Sequence, residues 1–180
     1  QFDADLQAAE AIAASRGVTL RSLVFPRNQV NTDYLPVLRE QYIEDLFTQE
    51  GVLTPVELGS RFEAYSEQYV QSIEVEAKLV VSMAKTIIYP AAMRYMGEVA
   101  KTIDSLKELG VEFDKASVVT VAELTKSMMA SVDELSDMMT KHFMSVEEHM
   151  QFCAQTIRPL MDKVREYADA LEGEVADDLW

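Results

Sequence analysis

Apolar residues in this chain recur every third and fourth position, not every second one. Val118, Val121, Thr125, Met128, Val132, Leu135, Met139 and His142 alternate spacings of three and four. So do Val146, Met150, Cys153, Ile157, Leu160, Val164, Tyr167 and Leu171, and again Ala92, Met96, Val99, Ile103 and Leu106. A 3.5-residue repeat sustained in this way sets one face of a helix against another helix. Three seams of comparable length predict an all-α fold, an antiparallel helix bundle.

The boundaries can be read from capping chemistry. Thr54-Pro55-Val56-Glu57 reads as a helix start: a threonine N-cap, a proline at the first helical position and a glutamate placed to close a capping box. Gly110 reads as the stop, because glycine adopts the left-handed conformation just past a helix end. A straight rod between them would measure roughly 80 Å, about twice the diameter of a compact domain of this size. Pro90 lies in the middle of this span. It lacks a donor, presses on the Thr86 carbonyl and disfavours the helical region for Tyr89. The expectation is one long, proline-kinked helix, sharply bent or broken at Pro90, or else an elongated bundle that is part of something larger.

Shorter elements fill the rest. Asp3 to Arg16 reads as a helix, Val18 to Phe25 as either a lone strand or an extended connector, and Pro26 to Asp33 as a loop. Pro36 to Glu50 reads as a helix ended by Gly51. After a linker at Val111 to Lys115, one helix is expected over Ala116 to Phe143. Another starts at Ser145, with Glu148 three residues on, and runs to about Leu171, before Gly173 and an acidic tail. Asp137 with Lys141, and Arg165 with Asp169, are spaced as helix-surface ion pairs. The domain reading is N-terminal helices and connector over 1–53 and a helical bundle over 54–180.

Ile73 to Met96 stands apart from the amphipathic segments. It carries so many large apolar residues that no wide polar face remains, as in a helix buried on several sides. A bundle of three or four helices does not supply that much cover. The segment is therefore either a central core helix or a surface that docks on another domain. Val75, Leu79, Val81, Ile88 and Tyr89 are the expected docking residues.

Charge narrows the partners. Sixteen Lys and Arg against 31 Asp and Glu leave a net charge of −15, which repels phosphate backbones and anionic membranes. No nucleic acid and no membrane is expected as a partner. The most apolar window, Leu79 to Met96, carries Lys85 and Arg94 and falls short of a membrane span. A single cysteine, Cys153, permits no internal disulfide and suits a reducing cytoplasm. The start lacks the features of a signal peptide. A chain that opens on Gln1 and closes on Trp180 reads as a trimmed piece.

No motif names a reaction. His142 and His149 flank a predicted helix start and need not share a face. The glutamate-to-histidine interval of three typical of di-iron bundles is missing, since Met139 and Val146 occupy the relevant positions. Cys153 sits on a seam, where a thiol is usually an inert packing group, although His149 lies one turn before it. Met128, Met139 and Met150 read as core, while for Met129 and Met138 a contact edge is left open as the alternative. Phe62, Tyr65 and Tyr69, at helical spacing, read as core rather than as a stacking platform. There is no glycine-rich phosphate loop and no paired-cysteine motif. Catalytic, cofactor-binding and metal residues are all expected to be none.

A family likeness appears in Leu35-Pro36, Leu46-Phe47, Gly51-Val52-Leu53-Thr54, Glu57-Leu58 and Ser60-Arg61. It continues in Ile73-Glu74-Val75-Glu76-Ala77, Met83-Ala84 and Ile88-Tyr89-Pro90-Ala91, with Pro90 fourteen residues after Glu76. Ile157-Arg158-Pro159-Leu160-Met161 and Asp177-Asp178-Leu179-Trp180 extend it. The chain resembles the C-terminal helical region of a type III glutamine synthetase, chiefly over Leu35 to Tyr95. Residues 1–34 and 110–145 match poorly, and Leu79-Val80 depart from the pattern. The resemblance implies a parent that joins ammonia to glutamate using ATP and Mg or Mn, as a large ring assembly. It implies that the catalytic residues lie upstream, so that none is carried here. The partners it implies are the catalytic domain of the same polypeptide and neighbouring subunits. The function expected of this chain is domain docking or oligomer assembly without chemistry. The alternative is a freestanding acidic helical-bundle adaptor that binds another protein. A metal-dependent bundle enzyme is the weakest reading.

Overall fold

The computed structural model describes residues 35–179 throughout, together with Gln7, Ala11, Ile12, Ala14, Ser15 and Thr32. The Val18–Phe25 connector lies outside the described residues, as does the Pro26–Asp33 loop apart from Thr32. The five described residues within Asp3–Arg16 are helical. The protein is all-α, with no strand among the described residues. It divides into two compact units, Gln1–Tyr69 and Val70–Trp180.

In the first unit, a 3-10 turn at Pro36–Arg39 precedes helix α1 (Gln41–Gln49). The continuous helix expected from Pro36 to Glu50 is interrupted at Glu40, whose ψ of 134° is extended. Pro36 favours the tight first turn, and the Glu40 carbonyl then accepts the first bonds of α1, from the Ile43 and Glu44 N–H groups. Gly51 closes α1 at φ 63°. There Val52 N–H donates to the Phe47 carbonyl (2.9 Å) and Gly51 N–H to the Thr48 carbonyl (3.1 Å), the bond pair of a left-handed helix cap.

Helix α2 (Pro55–Met83) begins on the expected capping box. Thr54 N–H donates to Glu57 Oε2 at 2.8 Å, and Glu57 N–H donates back to Thr54 Oγ1 at 3.3 Å. Leu58, Phe62, Ser66 and Tyr69 are buried along one face. Tyr65, expected in the core, is exposed. The seam steps by four from Phe62 to Ser66, which leaves Tyr65 a quarter-turn outside it.

The second unit takes the rest of α2, a π-turn at Ala84–Ile88 and helix α3 (Tyr89–Glu108). Pro90 therefore neither ends the helix nor breaks it. Ile88 and Tyr89 keep helical dihedrals, and Tyr89 N–H donates to the Ala84 carbonyl five residues back. The wider turn makes room for the proline ring, which a 3.6-residue turn would press onto the Thr86 carbonyl. The same device recurs near the C-terminus. Helix α5 (Val146–Phe152) passes through a π-turn at Cys153–Ile157 into helix α6 (Arg158–Glu172), Arg158 N–H donates to the Cys153 carbonyl, and Pro159 follows.

Gly110, at φ 77°, ends α3 with the expected left-handed cap: Val111 N–H donates to the Leu106 carbonyl and Gly110 N–H to the Lys107 carbonyl. Helix α4 (Ala116–Met138) is five residues shorter than expected. The Thr140 hydroxyl takes the Asp137 carbonyl at 2.8 Å, and Lys141 leaves the helix line to lie 5.0 Å over the Phe152 ring. His142 is consequently exposed and off the seam.

These helices pack as an antiparallel bundle, with α4 contacting both α3 and α6, and with the first π-turn touching α4 and α6. The periodic residues supply its core: Val121, Met128, Val132 and Leu135 from α4, and Met150, Cys153, Ile157, Val164 and Leu171 from α5 to α6. Thr125 is buried with its hydroxyl on the Val121 carbonyl at 2.6 Å, so no buried donor is lost. From the over-apolar segment Ile73 enters at one end, and the residues enclosed beyond it are small. Ala77, Ala84 and Ala91, seven apart, are each no more than 1% exposed. Alanines at that spacing let helices approach closely and leave the larger side chains pointing outward.

Candidate functional site

The helix running through the first π-turn carries its bulk on the outside. Val75, Leu79, Met83 and Ile87 follow one another every fourth residue and are 64, 56, 43 and 45% exposed. They form a single i, i+4 ridge. Tyr89 and Met93 are exposed beside it, whereas Val81 and Ile88 are half-buried on the bundle side. Of the five residues expected to dock, Val75, Leu79 and Tyr89 thus face outward. Met83 and Ile87 belong with them, and their four-residue spacing from Val75 was the signal available for them.

The ridge is flanked by charges of both signs, Glu74 and Glu76 beside Val75 and Lys78 and Lys85 further along. Residues 77–97 contain Lys78, Lys85 and Arg94 and no Asp or Glu, within a chain of net charge −15. Lys85 is held toward Asp133 of α4 (3.3 Å) and Lys78 toward Glu74 (3.8 Å), while Arg94 Nε donates to the Pro90 carbonyl at 3.3 Å.

A second cluster brings together Glu74, His149 and Cys153. Glu74 Oε1 lies 3.4 Å from His149 Nε2. The His149 ring stacks on Phe143 at 4.5 Å, and Phe143 meets Phe152 at 4.8 Å. Ser145 caps α5 by accepting from Glu148 N–H at 3.2 Å, which fixes His149 one turn further on. Cys153, one turn after His149, is buried. Its thiol is pushed up to about 11 from its ordinary 9.0, mainly by burial, with the Glu74 carboxylate adding to it. A thiol so reluctant to ionise is a packing group and not a nucleophile. The cluster ties the loop before α5 to α2 through ring stacking and one carboxylate–imidazole contact, and that is structural work.

Among the described residues no three His, Cys, Asp or Glu side chains converge to hold a metal ion, and no helix is long and apolar enough to cross a membrane.

Comparison with known proteins agrees with the likeness noted in the sequence. A family profile described as "Glutamine synthetase C-terminal domain" matches residues 15–107, just over half of the chain and beginning earlier than the likeness at Leu35. A "Type-3 glutamine synthetase" of Dictyostelium discoideum is 27% identical over 151 residues, covering 75% of this chain and 20% of that protein. "Glutamine synthetase" proteins of Bacteroides fragilis and Butyrivibrio fibrisolvens are 21% and 25% identical, covering 73% and 92% of this chain. The chain spans about a fifth of the length of these relatives.

Proposed function

The chain belongs to the glutamine synthetase C-terminal domain family, and we propose that it serves there as a non-catalytic helical domain that docks and assembles. The observation that carries this reading is the exposed ridge of Val75, Leu79, Met83 and Ile87 on a helix whose most deeply buried residues are Ala77, Ala84 and Ala91. A helix folded for stability alone would turn that apolar surface inward. On this reading the parent's ATP-dependent ligation of ammonia to glutamate, with its Mg or Mn, belongs to the catalytic domain of the same polypeptide. That domain and neighbouring subunits are the partners, and the setting is the cytoplasm.

Two measurements test the reading. The 180-residue chain supplied with glutamate, ammonia, ATP and magnesium is expected to form no glutamine, and turnover above background rejects the non-catalytic role. Leu79→Asp in the full-length parent is expected to weaken assembly. An unchanged particle size and specific activity reject the ridge as a docking surface.

A further inference from the structure

We infer that the contact between His149 of α5 and Glu74 of α2 is a proton-sensitive latch on the loop joining α4 to α5. Residues 139–145 of that loop are non-helical, and rings hold them in place. Phe143 stacks on His149 with centroids 4.5 Å and planes 18° apart, and it meets Phe152 at 4.8 Å. Lys141 Nζ lies 5.0 Å over the Phe152 ring, whereas Met144 is 97% exposed and anchors nothing. His149 joins this ring cluster to α2, with Nε2 3.4 Å from Glu74 Oε1. The hold on the loop therefore passes in part through an imidazole.

The two protonation states of that ring hold the loop with different strength. A neutral imidazole meets Glu74 as a dipole and Phe143 as an ordinary stacked ring. An imidazolium carries a donor on both nitrogens, so it faces the carboxylate as an ion pair and is drawn to the π-face of Phe143. Imidazole chemistry changes charge between about pH 5 and 8. The latch tightens as pH falls through that range and loosens as it rises. The other charged neighbours leave this sign intact. Lys78 Nζ opposes a second cation but lies 3.8 Å from the far oxygen, Glu74 Oε2, with its side chain 66% exposed. On α5 itself, Glu147 and Glu148 occupy the first turn and offset the positive end of the helix. In the loop, Lys141 is spent on Phe152, and His142 is exposed. The Cys153 thiol, pushed up to about 11, stays neutral throughout. Glu74 and His149 side chains are 38 and 28% exposed, so water screens the pair and the effect is a few-fold one.

Amide hydrogen exchange in the 180-residue chain tests the latch. Four amides report on it: Thr140 and Lys141, bonded to the Asp137 and Met138 carbonyls, and Glu148 and His149, bonded to Ser145. Their protection, corrected for intrinsic exchange and taken relative to the buried Val164 of α6, is compared at the two ends of the imidazole range. In the wild type it is expected to be about threefold higher at the acid end. The same ratio is expected to fall to about one in Glu74→Gln and in His149→Gln. His149→Gln also loses the ring stack, and a lower protection at both ends leaves the ratio readable; Glu74→Gln keeps the stack and serves as the second variant, with far-UV circular dichroism as the control for folding. A wild type whose loop protection does not change with pH overturns the inference. A ratio that survives in His149→Gln assigns the effect to another group and overturns it as well. A ratio lost in His149→Gln but kept in Glu74→Gln removes the link to α2, and with it the latch.

Discussion

Met83 and Ala84 are neighbours in sequence and differ sharply in burial: Met83 is 43% exposed, Ala84 is 1% exposed, and the small residue is the enclosed one. Large apolar side chains were the natural candidates for the core of this helix, yet the bundle is closed by the alanine line. The size order is inverted relative to hydrophobicity, and the first prediction follows from it.

Ala84→Leu is expected to destabilise the fold by about 1–3 kcal/mol, because added methylenes have no space against α4 and α6. Leu79→Ala, which removes the same apolar volume that Ala84→Leu adds, is expected to change stability by no more than about 0.5 kcal/mol, since the residue is exposed. Urea unfolding of both variants checks the contrast. Equal losses would show that the ridge stabilises the domain itself.

Pro90→Ala is expected to leave helical content unchanged by far-UV circular dichroism. The π-turn at Ala84–Ile88 already accommodates the ring, so removing it releases little strain. A marked gain in helicity would mean that the proline holds part of the helix open.

Alkaline pH is expected to destabilise the protein through Cys153. Its folded value near 11 stands above the ordinary 9.0, so below 9 the thiol is neutral in both states and its contribution is fully present. Between about 9 and 11 the unfolded chain loses this proton first, and stability falls as pH rises, by at most about 3 kcal/mol. Thermal unfolding of wild type and Cys153→Ala across that range should show a steeper decline for wild type. Parallel curves would remove the thiol as the source.

Acid acts at the other end of the chain, through Glu57. The Thr54 N–H, and then the Thr54 hydroxyl, hold its carboxyl below the ordinary 4.5. A depressed folded value contributes stability above 4.5 that is lost as pH falls through it. The difference in melting temperature between wild type and Glu57→Gln is therefore expected to narrow in acid. A gap that stays constant from neutral pH downward would detach the effect from ionisation.

Gly110→Ala is expected to cost about 1–2 kcal/mol. Space is open around its Cβ position, but a φ of 77° penalises any side chain. Chemical denaturation reads this directly, and an unchanged midpoint would mean that the cap relaxes.

Much of this architecture was written in local chemistry. The seams of α4 and α6, the capping box at Thr54 and Glu57, the left-handed caps at Gly51 and Gly110, and the helical fold class all follow from residues within one or two turns of one another. So does the likeness to the glutamine synthetase C-terminal domain, because a family pattern is itself a sequence. Local rules failed where an alternative bond was equally close. Pro90 was expected to kink or break the helix, or to lie in an elongated bundle, and the helix runs on past it through a widened turn; α4 was expected to reach Phe143 and stops at Met138, where the Thr140 N–H and hydroxyl both donate to the Asp137 carbonyl.

What the residues alone could not decide was which side of Ile73 to Met96 faces inward. No wide polar face marks that segment, so periodicity has little contrast to read. The choice was made by how closely α3, α4 and the first π-turn can approach, and alanine at positions 77, 84 and 91 allows a separation that valine, leucine and methionine do not. Tertiary packing thus put Val81 and Ile88 partly inside and left Val75, Leu79, Met83 and Ile87 outside.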